Sequence, residues 1–455
     1  MAARRVWKLT VGAFFVCSLI ITITDCLVVA GETKRNNSEA ISTPAPIEDS
    51  NSHALATEDS NLVVDGYDES DNAYCGVPLC SPPGRLWVRA DWLMWWTSGA
   101  YVPPLVTTGT TDSLGILGRQ GTTIQYGDTT INRSGRSGTR LTLGGWLDKC
   151  HRWGLEADWL TLAGKSSTFS QSSDAAGSPL LSRPYYDILN DVQWIYFVTF
   201  PEFLTGSVNV RENDSFSSVG AALRYNLGCN PCADPCIAGE DCVAVGNCVD
   251  ACSAYYFRTD FLMGYRNYTL GDNLSINSES QEISVDSARR RFQVTDNFIT
   301  HNEFHGGEIG FSTELRRGRW SVNLLGKMAV GNNHQTVTIN GTTLSTANGQ
   351  VLLNTENGYL AMNSNKGIHT SDRFAIIPQF GAELGCQLTR RLRAYAGYNI
   401  LFWASVMRAG DQIDLNIDTR NSSVPPVNAS PYPAYLARTS DFWAQGLNLG
   451  LEFRF

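Results

Sequence analysis

From Leu447 to Phe455 the chain alternates without a break. Leu447, Leu449, Leu451, Phe453 and Phe455 fall on one face, and Gly446, Asn448, Gly450, Glu452 and Arg454 on the other. A period of two over this length predicts a β-strand with one apolar and one polar face. The same rule runs upstream. Leu86, Val88, Ala90, Trp92, Met94 and Trp96 alternate with Trp87, Arg89, Asp91, Leu93 and Trp95. Further alternating stretches cover 138–148, 152–159, 216–227, 253–268, 308–315, 320–330, 374–388 and 392–403, so the pattern predicts ten strands. Weaker stretches at 206–211 and 282–286 raise the count to twelve if they cross, and extend the outer side if they do not.

Within these strands every ionisable group lies opposite the apolar face. The acidic ones are Asp91, Asp148, Glu156, Asp158, Asp260, Glu308, Glu314, Glu383 and Glu452; the basic ones are Arg89, Arg140, Arg152, Arg224, Arg258, Arg266, Lys327, Arg393 and Arg454. A soluble sandwich segregates its faces in the same way, so segregation alone does not choose the fold. The outward face, however, carries Trp and Tyr near strand ends, the arrangement of a membrane-interface girdle. A Lys or Arg on a lipid-facing position near the midplane costs about 2–4 kcal/mol, a reason to keep that face clean. Connections also alternate between long (98–137, 164–215, 269–303, 341–370, 406–439) and short (149–151, 317–319, 389–391). The exception on the short side is 229–252. The expected fold is an all-β, antiparallel up-and-down transmembrane β-barrel of 10–12 strands, with long loops outside and short turns in the periplasm.

Composition refines this picture at the N-terminus. Arg4, Arg5 and Lys8, an apolar run from Leu9 to Ile23, and Val28-Val29-Ala30 before Gly31 have the form of a secretory signal over 1–30. Residues 31–84 carry ten acids and two bases with few aromatics, the composition of a disordered acidic tail or linker. The barrel is then expected over 85–455. The formal charge of −9 and the absence of clustered bases argue against nucleic acid as a partner.

An exported chain invites disulfides. Cys229, Cys232, Cys236, Cys242, Cys248 and Cys252 crowd the exceptional insertion, and Cys75, Cys80, Cys150 and Cys386 complete the candidates. No His interleaves the cluster and its spacing fits no paired zinc site, so no metal is expected there. His301, Glu303 and His305 share one strand face and read as a polar strand entrance at the outer rim. Glu156 and Asp158 share a face as glycosidase carboxylates do, but inward arginines stand ready to neutralise them. A lipase-like Ser–His pair finds no support in the pattern, and the chain is expected to be neither an enzyme nor a cofactor protein.

The closing strand resembles that of bacterial outer-membrane proteins. There the terminal aromatic belongs to the signal read by the barrel-assembly machinery, which implies that role for Phe453 and Phe455. Several motifs carry a more specific resemblance: Val102-Pro103-Pro104-Leu105-Val106-Thr107-Thr108, Gly144-Gly145-Trp146, Trp153-Gly154-Leu155-Glu156 and Arg183-Pro184-Tyr185. Gly264-Tyr265-Arg266, Gly306-Gly307 and Gly331-Asn332-Asn333-His334-Gln335-Thr336-Val337 continue it. From Leu86 to Phe455 the chain resembles the beta-barrel porin-7 family of planctomycete outer membranes. The resemblance implies an outer-membrane barrel among outer-membrane lipid and brings no catalytic or substrate-binding residues. The expected function is passage of small polar solutes through a narrow, charge-lined lumen. The alternative is a structural or surface-display barrel whose long loops bind partners. The lumen-lining set is Arg89, Asp91, Glu156, Asp158, Arg224, Arg258, Asp260, Arg266, Glu308, Glu314, Lys327, Glu383, Arg393, Glu452 and Arg454.

Overall fold

The computed structural model describes residues 84–230, 256–283, 289–422 and 430–455. Ten long strands form its wall: β1 (Leu86–Thr97), β2 (Arg136–Trp146), β3 (Trp153–Ser172), β4 (Leu204–Asn230) and β5 (Tyr256–Glu282). The second half comprises β6 (Arg290–Arg317), β7 (Trp320–Ala347), β8 (Gly367–Gln387), β9 (Leu392–Val406) and β10 (Ser440–Arg454). Each pairs antiparallel with its sequence neighbours, and β1 pairs with β10, so the sheet closes on itself as a ten-stranded barrel. Closure satisfies every strand edge, which a wall in lipid requires. The last residue takes part: Phe455 N–H donates to the Leu86 carbonyl at 2.9 Å, and its own carbonyl accepts from Arg85 N–H at 2.8 Å.

The middle strands, β3 to β8, are far longer than a membrane crossing needs. β5 has 27 residues and β6 has 28, against about 10 for a spanning strand. Along β5 the extra length changes the identity of the two faces, not their parity. On β5 the outward residues Phe257, Phe261, Met263 and Tyr265 give way to Asn267, Thr269, Asn273 and Asn277. The inward ones change from Arg258, Asp260 and Arg266 to Tyr268, Leu270, Leu274 and Ile276. At about 3.4 Å per residue and a tilt of about 40°, Phe257–Tyr265 rises roughly 20 Å, close to the height of a lipid-facing band. Everything from Asn267 onward therefore stands beyond the membrane, where water outside favours a polar outer face and apolar interior.

This corrects the sequence reading of 164–215 and 269–303 as loops: most of those residues extend β3 to β6. The stretch 206–211 is part of β4; Glu282 ends β5, and 284–286 lie outside the described residues. Asp148 and Arg152 also move, from the lumen to the turn after β2. There the Asp148 carboxylate accepts from the backbone N–H groups of Arg152 and Trp153 at 2.8–3.1 Å, a local bond the alternation pattern does not reveal.

The outer loops fold inward over the top of the barrel. Short strands from three of them, Val106–Thr108, Thr123–Tyr126, Leu181–Asp187, Val192–Thr199 and Asn416–Ile417, form one small sheet. Their side chains (Leu105, Val106, Leu181, Ile413, Ile417) and the 360–362 turn bury against Val208, Val210, Leu274, Ile276, Phe298, Val337 and Ile339 of the wall. Each such side chain, fully buried, contributes about 1.5–3 kcal/mol.

The signal, the acidic tail and most of the cysteine cluster lie outside the described residues. Cys150 is disulfide-bonded. Cys386 is a free thiol, not the bridged one expected; it sits at the end of β8, opposite Trp320 in the strand register.

Candidate functional site: the barrel interior

Three layers fill the lumen, counted from the short-turn end. The first is ionic. Arg89 holds Glu383 with both oxygens at 2.8 Å, while its Nε donates to the Tyr395 hydroxyl at 3.0 Å. Arg140 pairs with Asp91 at 3.0 Å. Arg224 bridges Glu156 and Asp260 at 2.8 and 2.9 Å, and Arg258 reaches the same Asp260 at 2.9 Å. Arg266 joins Asp158 (2.6 Å) to Glu308 (2.8 Å), and Lys327 adds a second cation to Glu308 at 3.1 Å. Arg393 approaches Glu452 at 3.5 Å, and Arg454 makes a closer contact with it.

Glycines in the wall make room for this network. Gly220 lies opposite Arg266 in the register, and a Cβ there would sit 2.4 Å from the guanidinium carbon. Arg258 also lies over the Trp146 ring, 4.3 Å from its centroid. Two cavities remain between these side chains, each of about 50 Å³. That is room for about three to five waters apiece.

The lumen-lining residues expected from sequence thus come together, and Arg140 joins them. Glu314 lies opposite Arg258 in the register and lines the lower cavity, but it has no ion pair among the described residues. Between Arg258, Asp260 and Arg266 of β5 and Glu308 and Glu314 of β6, the ion pair that forms is Arg266–Glu308. Glu156 and Asp158 are each engaged by an arginine, which leaves neither free as an acid or base.

The second layer is aromatic and apolar. Leu93, Trp95, Phe216, Tyr268, Phe304, Trp403 and Phe442 are all at most 2% exposed and pack across the barrel with Leu160, Leu162 and Leu401. Ring centroids lie 5.1 Å apart for Phe216–Phe442 and 6.1 Å apart for Tyr268–Trp403. Trp95 Nε1 donates to Asn448 at 2.7 Å and Tyr268 to Gln379 at 3.3 Å, whereas Trp403 Nε1 is buried without a partner among the described residues.

The third layer, beyond the membrane band, escaped the sequence reading. Glu212 and Asp214 of β4 and Asp272 of β5 are buried, with one oxygen of each within 4.8 Å of the others. Arg136 holds Asp214 at 2.5 and 2.9 Å, Arg408 pairs with Asp272, and Asn132 donates to Glu212. Burial, then the Asp272 and Asp214 charges, push the Glu212 carboxyl up to about 8. Burial raises Asp272 as well, against the pull of Arg408. Three acids in such a cluster have the donor set for a cation, but each already has a protein partner, and two guanidiniums supply the counter-charge. The signal for them was parity: Val208 to Arg224 keep every even residue inward. Just above, Asp296 Oδ1 accepts the backbone N–H groups of Tyr359, Leu360 and Ala361, each at 2.8 Å, and Oδ2 takes Arg183 at 2.6 Å.

His301, Glu303 and His305 lie outside the lumen, on the exterior of β6, with His305 3.1 Å and His301 4.0 Å from Glu303. His334 pairs with Asp372 at 2.9 Å on the adjoining outer surface.

The family model described as putative beta barrel porin-7 matches residues 87–455. The chain belongs to this family. The porin-7 barrel is accordingly an outer-membrane protein, and lipid surrounds its apolar band. No curated protein matches it. Among solved structures it is similar to the outer membrane protease OmpT from Escherichia coli, at 9% identity and a TM-score of 0.36, over 82% of this chain and 98% of that one. It is also similar to the translocator domain of autotransporter NalP from Neisseria meningitidis, at 9% identity and a TM-score of 0.21, over 83% and 91%. The P. putida toluene transporter TodX follows at 9% identity and a TM-score of 0.18, over 84% and 94%. At such scores the fold assignment rests on the closed strand ladder and the family.

Proposed function

We propose that this porin-7 barrel is a sealed element of the outer membrane, presenting its tall wall and packed loops at the cell surface, with little or no steady transport. The observation that carries this reading is the aromatic layer, whose six aromatic side chains are buried across the lumen. Ion pairs below it and a loop core above pack the rest of the described interior. Purified protein in planar bilayers should show at most rare, small openings. A steady conductance from most inserted molecules overturns the reading.

A second reading, a narrow porin for small polar solutes, is favoured by the water-sized cavities along the ionic layer and by the family's description. Because cations and anions alternate there, such a pore would show a cation-to-anion permeability ratio near one. Neither reading involves catalysis. Both require insertion by the barrel-assembly machinery, for which Phe453 and Phe455 supply the terminal aromatics. Deleting Phe455 should lower the yield of heat-modifiable barrel in membranes, and an unchanged yield removes that role.

A further inference from the structure

The short-turn rim has a charge character unlike the rest of the molecule. Arg85, Lys149, Arg319, Arg390 and Arg391 are exposed there, at the ends of five different strands. Among the described residues of these turns the acid, Asp148, is committed to backbone amides. Glu314 and Glu452, at the adjoining strand ends, line the lumen. His151 adds no charge: burial and the neighbouring Arg258 hold its pKa down to about 4 while it stacks on Trp146. At the opposite end the exposed charges of the described residues are of mixed sign, among them Asp112, Asp174, Asp191, Arg119, Arg133, Arg290 and Arg291.

Depth gives this basic rim a meaning. Each cation follows or precedes an outward apolar residue by one to three positions: Arg85 with Leu86, Lys149 with Leu147, Arg319 with Trp320, and Arg390 and Arg391 with Leu388. Those apolar side chains are among the most exposed in the protein, Trp320 at 58% and Leu147 at 64%. One strand residue advances about 3.4 Å, so the cations stand a few ångströms beyond the lipid-facing band. That is the level of lipid phosphates, below the aromatic belt.

We propose that this rim binds the phosphate headgroups of anionic phospholipids in the periplasmic leaflet. The ring of contacts would fix the depth of the barrel at the short-turn interface. Soluble polyanions share the chemistry but do not need the neighbouring apolar collar, which is why the membrane is the favoured source.

The test uses the full chain, folded in detergent and exchanged against mixed micelles of phosphatidylcholine and phosphatidylglycerol, with bound lipid counted by native mass spectrometry. The wild type should retain phosphatidylglycerol preferentially. The combined variant Lys149→Gln, Arg319→Gln, Arg390→Gln and Arg391→Gln should lose about tenfold or more of that preference, given roughly 1 kcal/mol per basic residue at an anionic surface. Heat-modifiability reports whether the variant still folds. If it does not, the wild type in about 0.5 M salt serves instead, since screening should erase a preference built on exposed charges. Equal retention of the two lipids, or a preference that survives both the variant and salt, overturns the proposal. Tight binding of soluble polyphosphate without lipid preference also overturns it and places the partner in the periplasm.

Discussion

Strands β3 to β8 run through two media, and the two halves of the barrel solve opposite problems. In the membrane half, Met263 and Leu449 face lipid while Arg266 and Glu308 are buried inside. In the outer half, Asn273 faces water while Leu274 and Phe298 are buried inside. Along β5 and β6 the strand parity is constant and only the polarity assigned to each parity reverses; on β3 a register shift against β4 moves the inward positions from Leu160 and Leu162 to Phe169. Which face is apolar is thus set by the solvent outside, and the interior must then be filled by whatever remains. The membrane half is left with charges, which are tolerable only when paired. The outer half can use a hydrophobic core, but a barrel wall has no second layer to pack on, so its loops supply one.

The strongest way to break the membrane half is to remove a shared cation. Arg266→Ala leaves Asp158 without its partner and Glu308 with only Lys327, and should cost about 3–5 kcal/mol, read from the urea midpoint of the folded barrel in micelles. A second test carries the same residue to both halves. Leu449→Arg, on the lipid face, should cost about 2–4 kcal/mol, whereas Asn273→Arg, outward on the extension, should stay within about 0.5 kcal/mol. Equal costs would mean that the apolar band does not end where the outward residues turn polar.

The third test concerns the outer half and pH. Folded Glu212 holds its proton up to about 8, against an ordinary 4.5, so the folded form binds a proton that the unfolded chain releases. Stability should therefore fall as pH rises from about 4.5 to about 8 and level off outside that window, by roughly 1–3 kcal/mol once Arg408 adjusts. Glu212→Gln should flatten this dependence, measured by proteolysis of the loops across the same pH range. The smallest effect is expected from Arg258→Ala, about 1 kcal/mol, because Asp260 keeps Arg224. A loss as large as that of Arg266 would mean that stacking on Trp146, not charge pairing, holds the lumen together.

The membrane half was legible from sequence because lipid enforces a clean rule: Phe257, Phe261, Met263 and Tyr265 against Arg258, Asp260 and Arg266 can hardly be read otherwise. The strand count and the inward charge set follow from it. The outer half was not legible. Its outward Asn, Thr and Ser look like loop residues, and its inward alternation is broken by Asp272 and Asp214, whose partners come from remote loops. Arg408 is 136 positions from Asp272, and Arg183 is 113 from Asp296. No local pattern encodes such pairs. Asp148 and Arg152 failed for the reverse reason: a bond across four residues outranked the period.

Asp296 illustrates what it means for loops to serve as a core. One wall carboxylate grips the backbone of the 359–361 turn and, through Arg183, a second loop. The loops are in effect ligands tethered to their receptor, and tethering keeps their local concentration in the millimolar range or above. Cutting the chain at an exposed loop tip should therefore not release the fragment, since both ends stay joined to the wall. Surface proteases would nick such a protein without uncapping it.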